Sequence, residues 1–310
     1  MSLIFQLFQV LRYHARRLRT YPLGVIFAAG LIVLFIFFIV LWILSHLLAA
    51  FSLTSNGVEN HHLAVIVPFR DRFDELLQFI PHITAFLTAQ QIRHHIFVVN
   101  QADEFRFNRA SLINVGFTLV RDQFDYIAMH DVDLLPDNPA LDYGFPAAGP
   151  MHLAAPDLHP RYHYTKFIGG ILLMTNTQFQ KVDGMSNKYW GWGMEDDELA
   201  VRLKEAHLNI SRPTGITTGY KTFKHVHSDI RRKRDMEKLP GQKESNRRRD
   251  RETGLRNVLY ELLSEHRLSV DGTAVTVFNV KLQCDLQRTP WCLPQTPQPP
   301  QSRPTTQKAS

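Results

Sequence analysis

Two tryptophan-glycine pairs run directly into four carboxylates in Trp190-Gly191-Trp192-Gly193-Met194-Glu195-Asp196-Asp197-Glu198. Indoles offer an apolar platform for the face of a sugar ring, and the glycines let backbone approach a ligand closely. A carboxylate on the platform's rim can take a proton from a hydroxyl. The chemistry suggested is a bound polyol beside a base, although acids in a helix's first turn also answer the macrodipole. Asp131-Val132-Asp133 and His225-Val226-His227 add complementary chemistry. Residues two apart on extended backbone point the same way, so Asp131 and Asp133 can serve one site, one on a sugar and one on a cation. Both histidines can face that cation. Carboxylate oxygen with open coordination places suits a divalent ion that also holds a diphosphate, and imidazole shifts the preference from Mg²⁺ toward Mn²⁺. Asp-x-Asp is common on surfaces and His-x-His is more often a polar strand face. Their joint occurrence at strand ends is what points to a metal site beside a base.

The elements that must position these residues follow from apolar runs. Leu63 to Val67 predicts a buried strand ending at Pro68-Phe69-Arg70-Asp71-Arg72, with a helix after it that is interrupted near Pro81. Ile96 to Val99 predicts a second strand, followed by Asn100-Gln101 and by Phe107-Asn108-Arg109-Ala110, which leads into an amphipathic helix. Tyr126 to Met129 predicts a third strand running into Asp131. Strand-helix alternation implies an α/β fold with a parallel sheet, whose ligands bind beyond the carboxyl ends of the strands. Arg70, Asn100, Asp131 and Asp133 fall there. Leu134 to Pro160 reads as loop, and Phe167 to Thr175 as a buried strand whose Gly-Gly marks close packing. The aromatic-acid cluster opens a helix through about Leu208, with Leu199, Leu203 and Ala206 on its apolar face. Arg231 to Arg251 reads as a solvated, mobile loop or helix, one whose cations could attract an acidic peptide. Leu268 to Leu282 reads as a hairpin around Asp271-Gly272.

With 310 residues, 45% of them apolar, the chain can bury one large core. Residues 1–22 carry Arg12, Arg16, Arg17 and Arg19 and no acid. Leu23 to Phe51 is almost wholly apolar, longer than the roughly 20 residues that cross a bilayer. A signal-anchor transmembrane helix is therefore expected over residues 23–51, with the basic tail cytosolic and the remainder lumenal, as a single-pass type II protein. A short stem (residues 52–60), a catalytic domain (residues 61–293) and a disordered tail (residues 294–310) complete the expected organisation. Cys284 and Cys292 lie on the oxidising side, where a small-loop disulfide is expected. The formal net charge of +6 admits nucleic acid, but a lumenal domain does not meet it.

Taken in order, Pro68-Phe69-Arg70, Phe107-Asn108-Arg109-Ala110, Asp131-Val132-Asp133 and the tryptophan-acid stretch through Asp197 resemble the motifs of the β1,4-galactosyltransferases. His225-Val226-His227 followed by Arg232-Lys233-Arg234-Asp235 is similar to the branch that adds galactose to xylosylated protein in glycosaminoglycan linker synthesis on proteoglycans. The resemblance runs from about His61 to Cys292. It implies a GT-A type nucleotide-sugar transferase fold, UDP-galactose as donor, Mn²⁺ as cofactor, xylosylated core protein as acceptor and a Golgi membrane location. It also implies that Asp133, His225 and His227 hold the metal, that Pro68, Phe69, Arg70, Phe107, Arg109, Asp131, Asp133 and Trp192 line the donor site, and that Asp196 is the base. Tyr162, Tyr164, Trp192, Met194, Glu195, Asp196 and Asp197 would surround the acceptor. A same-fold enzyme moving galactose or N-acetylgalactosamine to a glucosamine-type acceptor is the nearest alternative. A metal-dependent hydrolase and a silent sugar-binding protein are further ones, the last disfavoured because Asp196 and all the metal ligands are present.

Overall fold

The computed structural model describes residues 31–32, 34–45, 61–228, 230 and 233–294. Residues 31–32 and 34–45 are helical. Among the described residues no helix is long and apolar enough to cross a membrane, and the expected span over residues 23–51 extends outside them at both ends. Residues 1–22, the stem at 52–60 and tail residues 295–310 also lie outside. The chain divides into two units, residues 1–59 and 60–310.

The second unit is built on a seven-stranded sheet of order β5-β6-β3-β1-β2-β9-β8. Its strands are β1 (His62–Phe69), β2 (Arg93–Gln101), β3 (Tyr126–His130), β5 (Met151–His152), β6 (Ile171–Thr175), β8 (Tyr260–Val270) and β9 (Thr273–Leu282). The pairs β1–β2, β1–β3 and β2–β9 are parallel, whereas β3–β6, β5–β6 and β8–β9 are antiparallel. The parallel strands are covered on both faces. Leu63, Val65 and Val67 pack with Phe79, Ile80 and Ile83 of helix α1 (Phe73–Ala89), while Ala64 and Ile66 pack with Leu112 and Val115 of helix α2 (Arg109–Val120). Burial of both faces explains why these strands read as unbroken apolar runs. A Cβ on Gly116 of α2 would stand 2.7 Å from the Ile66 side chain and 2.9 Å from that of Val99, so the glycine is where helix meets sheet.

Several elements differ from expectation. Helix α1 passes through Pro81 without a break. Proline removes the bond to the Leu77 carbonyl four residues back and its ring crowds that carbonyl; Leu77 lies on the exposed side of the helix, where a slight bend and water can absorb both. Helix α2 is buried nearly all round rather than amphipathic, because the Met185–Asn187 loop covers its outer side and takes hydrogen bonds from Asn114. The expected loop from Leu134 to Pro160 contains β4 (Leu134–Pro136) and β5, and β4 pairs antiparallel with β7 (Phe223–His225). A short helix α3 (Asn176–Lys181), closed by a Thr175–Gln178 capping box, follows β6. Helix α4 (Glu195–Glu205) starts at the acid cluster and buries Leu199 and Leu203. The hairpin turns at Asp271-Gly272, both with positive φ, but its first strand begins at Tyr260 rather than Leu268. Cys284 and Cys292 are bridged, with Cα atoms 6.3 Å apart.

The basic stretch is more ordered than its charge suggests. It holds helix α5 (Gln242–Arg247), Arg248 pairs with Glu244, and Arg249 pairs with Glu198 and with Glu205 at 2.8 Å. Fewer cations remain for an acidic peptide than the sequence alone implies.

Asn108 starts α2 and is fully buried; its side chain accepts from Ser111 N–H at 2.9 Å and donates to the Asn187 carbonyl at 2.9 Å. Asn108→Ala should cost about 1–3 kcal/mol, read as a lower urea midpoint of the folded domain. An unchanged midpoint would show that the cap contributes nothing.

Candidate active site

The carboxyl ends of β1 and β3 open into a cleft of about 460 Å³, within the usual range for a small-ligand site. Asp131 and Asp133 follow β3, and the β4–β7 pair brings the histidines to them. Leu134 is the register partner of His225, and the Val226 N–H donates to the Asp133 carbonyl at 2.8 Å. The Asp133 carboxylate then stands 3.0 Å from His227 Nδ1 and 3.8 Å from His225 Nε2. Ligand atoms of the three residues all lie within 4.8 Å of one another, and the two imidazoles stack at 5.4 Å with 9° between their planes.

The electrostatics suit a cation. Burial alone would raise the Asp133 carboxyl, but the hydrogen bond to His227 and the nearby His225, His227 and Arg72 hold it below the ordinary carboxylate range. Burial also pushes the His225 imidazole toward its neutral form, against the pull of Asp133. An ionised carboxylate and a neutral imidazole are the states that bind metal. One carboxylate with two imidazoles fits a borderline divalent ion such as Mn²⁺, so the residues present match the metal that the resemblance implies.

On the other side of the cleft, α4 presents Glu195, Asp196 and Asp197 in its first turn after Met194, which takes a left-handed φ of 80°. The Arg109 guanidinium joins this turn to the end of β3, with Nε 2.8 Å from Asp131 and Nη1 3.0 Å from Asp196. Burial would lower the Arg109 pKa, but Asp131, Asp196 and Glu195 outweigh it and raise it, so the cation is permanent. Burial raises Asp131 and Asp196 above the usual carboxylate value despite Arg109. Glu195 is pushed up to about 7 by burial and by the Asp196 charge. A Cβ on Gly169 would collide with the Asp196 carboxylate and the Phe167 ring, so the first glycine of Gly169-Gly170 makes room for the acid.

Most of the expected site residues line one cleft: Pro68, Arg70, Phe107, Arg109, Asp131, Asp133, Tyr162, Tyr164, Trp192, Met194, Glu195, Asp196, Asp197, His225 and His227. Phe69 does not. Its ring is buried edge-to-face against Phe73, with centroids 5.3 Å apart, because side chains alternate along β1. Asn100 is likewise turned into the sheet, donating to Asn279 at 2.8 Å. The double-indole platform is half present: Trp192 is 38% exposed, whereas Trp190 is 2% exposed and packs edge-on to Phe105 in the core. Arg72, His159 and Lys233 to Asp235 also line the cleft and were not singled out as site residues. Arg72 had a signal in its place at the end of the β1 motif. His159, in a Pro-rich loop, had none.

Residues 52–145 match the N-terminal region of glycosyl transferase group 7, and residues 149–226 match the N-terminal domain of galactosyltransferase. The chain is 56% identical to Beta-1,4-galactosyltransferase 7 of Drosophila melanogaster over 239 residues, which is 76% of this chain and 74% of that protein. It is 50% identical to the Xylosylprotein 4-beta-galactosyltransferase of Caenorhabditis elegans over 238 residues, covering 75% of this chain and 82% of the relative. The crystal structure of the Drosophila catalytic domain in complex with xylobiose is similar at a TM-score of 0.75 and 56% identity, covering 76% of this chain and all of that one (100%). A second, of an aspartate-to-asparagine mutant in complex with manganese, UDP-Gal and xylobiose, gives 0.74 at 56% identity and covers 75% and 99%.

His227→Ala removes an imidazole whose side chain is only 2% exposed. It should weaken Mn²⁺ binding by about tenfold or more while the fold persists. Titrating the unit of residues 60–310 with Mn²⁺ and reading free ion by EPR, beside a thermal melt, checks both. Unchanged affinity would remove His227 from the ligand set.

Proposed function

The chain belongs to the β1,4-galactosyltransferase family, and from that premise we propose that it moves galactose from UDP-galactose to the 4-hydroxyl of xylose on xylosylated proteoglycan core protein, with inversion. The observation that carries this reading is the pair of acidic groups held by Arg109, with Asp196 facing the cleft opposite Asp133, His225 and His227. Mn²⁺ held by Asp133, His225 and His227 would supply charge stabilisation for the departing diphosphate.

Asp196 takes the proton of the acceptor hydroxyl as that oxygen forms its bond to the anomeric carbon and the bond from that carbon to UDP oxygen breaks. Burial strengthens Asp196 as a proton acceptor, and Arg109 fixes the carboxylate so that it need not reorganise during transfer. Asp131, tied to the same guanidinium, faces the donor side of the cleft. Trp192, Tyr162 and Tyr164 give the acceptor an apolar wall. Glu195 lines the same cleft beside Asp196, with its Oε2 buried and lacking a hydrogen-bond partner. A positioned base contributes about 10²- to 10⁴-fold; orientation in the closed cleft supplies much of the remainder.

The same reading makes the protein a single-pass type II component of the Golgi membrane. Its support is the arginine-rich start, the apolar run over residues 23–51 and the Cys284–Cys292 bridge, a bond that persists in oxidising compartments. Protease protection in sealed Golgi vesicles is the test: digestion of the catalytic unit before detergent is added would refute the topology.

Incubating the soluble unit with Mn²⁺, UDP-galactose and a β-xyloside should yield the β1,4-linked product. Equal use of a glucosamine acceptor would favour the alternative specificity. Asp196→Asn should lower turnover by about 10²-fold or more with donor affinity retained; near-parent turnover would exclude Asp196 as the base. The base acts ionised, and its pKa is raised. Activity should therefore rise with pH through an acid limb above the ordinary carboxylate range, shared with the neighbouring Glu195. A kcat/KM profile that stays flat down to about pH 4, the usual carboxylate region, would contradict the raised value.

A further inference from the structure

His159 sits in the loop between β5 and β6, on the cleft wall, and is only 3% exposed. Its Nδ1 accepts from two backbone donors at once, the N–H of Arg161 at 2.9 Å and that of Tyr162 at 3.0 Å. A ring nitrogen that accepts carries no proton, so the imidazole is the neutral tautomer with hydrogen on Nε2. The arrangement is an Asx-type turn made by a histidine, in which the δ atom of one side chain takes the N–H groups two and three residues ahead. Pro160, between His159 and Arg161, has no N–H to compete.

What the turn carries gives it a function. The Tyr162 ring lies 5.0 Å from the His159 ring, 5.1 Å from Phe167 and 6.2 Å from Trp192. Tyr164 is half exposed beside it, its ring 5.5 Å from that of Phe167. The tyrosines therefore face the indole and the acids across the place assigned to the acceptor, and one nitrogen atom holds the Arg161–Tyr162 turn that leads into them. We infer that His159 is a positioning residue for the acceptor sugar: its Nδ1 fixes the Arg161–Tyr162 turn and so the tyrosine wall on which the sugar rests. This rests on the reading that Tyr162 and Tyr164 contact the acceptor.

The His159 ring also lies 6.1 Å from that of His225, so its test must separate an acceptor effect from a metal effect. Three variants do this. In His159→Asn the amide Oδ1 occupies the place of Nδ1; in His159→Gln the amide reaches instead to the place of Nε2; His159→Phe keeps the ring and loses both nitrogens. The Gln and Phe variants should raise KM for a β-xyloside about tenfold or more, since small displacements of positioning groups are costly, and the Asn variant should stay within about threefold. Donor KM and Mn²⁺ affinity should be unchanged in all of them. Amide hydrogen exchange at Arg161 and Tyr162 should be fast in Gln and Phe and slow in Asn. If Phe keeps the parent KM and Asn loses it, the ring's packing matters rather than its acceptor atom, and the inference is overturned. Better performance by Gln than Asn would overturn it too, by assigning the role to Nε2–H. If the parent protein fails to use a β-xyloside, the acceptor reading falls instead, and amide exchange alone still decides whether Nδ1 holds the turn.

Discussion

The site depends on one guanidinium shared between two carboxylates. Asp131 comes from the end of a sheet strand and Asp196 from the start of a helix 65 residues later in sequence, and both lie in a partly desolvated cleft where like charges repel strongly. Arg109 stands between them, with 14% of its side chain exposed. Removing a buried partner of this kind leaves uncompensated charge, which is far more costly than the net worth of the pair. Lysine would not replace it, because one ammonium lacks the planar fork that reaches two acids from fixed directions. The position of Arg109 is set in turn by the Asn108 cap immediately before it, so the start of one buried helix fixes the distance between donor side and base.

The metal cluster is assembled by a different device. The main sheet supplies Asp133 only indirectly, beyond the end of β3. The histidines arrive through a three-residue strand pair outside that sheet, in which β4 and β7 align Leu134 with His225. A strand pair this short has little stability of its own; Phe223, Leu134 and Leu135 anchor it in the core beneath α1. The base and the cation ligands thus hang from separate supports that meet at the cleft, where Arg109 ties the base to Asp131, two residues from Asp133.

Much of this was legible in the sequence because the physics is local. Strands covered on both faces must be apolar throughout, and Leu63 to Val67 could be read directly. Residues two apart on extended chain share a face, and that placed His225 with His227. What failed depended on tertiary surroundings. Phe69 belongs to a motif beside the cleft, yet strand alternation turns it inward. Pro81 sits on a helix side where water can replace the missing bond, which the sequence does not reveal. The run from Arg231 to Arg251 looks solvated by composition, but Glu198 and Glu205 on α4 capture Arg249. His159 was invisible because its importance lies in where a ring nitrogen points, not in any pattern of residue types.

Trp190-Gly191-Trp192 shows how one motif can serve fold and site together. Gly191 has a φ of +81°, and a Cβ there would collide with the Arg106 guanidinium. That cation is buried and donates to both oxygens of Asp235, at 2.6 and 2.8 Å, to Gln242 Oε1 at 2.9 Å and to the Glu237 and Trp291 carbonyls. The backbone at Gly191 and Trp192 is caught on both sides: Gly191 N–H donates to the Phe107 carbonyl, and Trp192 N–H to that of Asp235. With the chain pinned and turned left-handed at the glycine, adjacent indoles must take opposite directions, Trp190 into the core and Trp192 to the cleft. The glycine is therefore required by the guanidinium behind it as much as by any ligand in front. The exposed tryptophan owes its orientation to an arginine, Arg106, that is absent from the cleft lining.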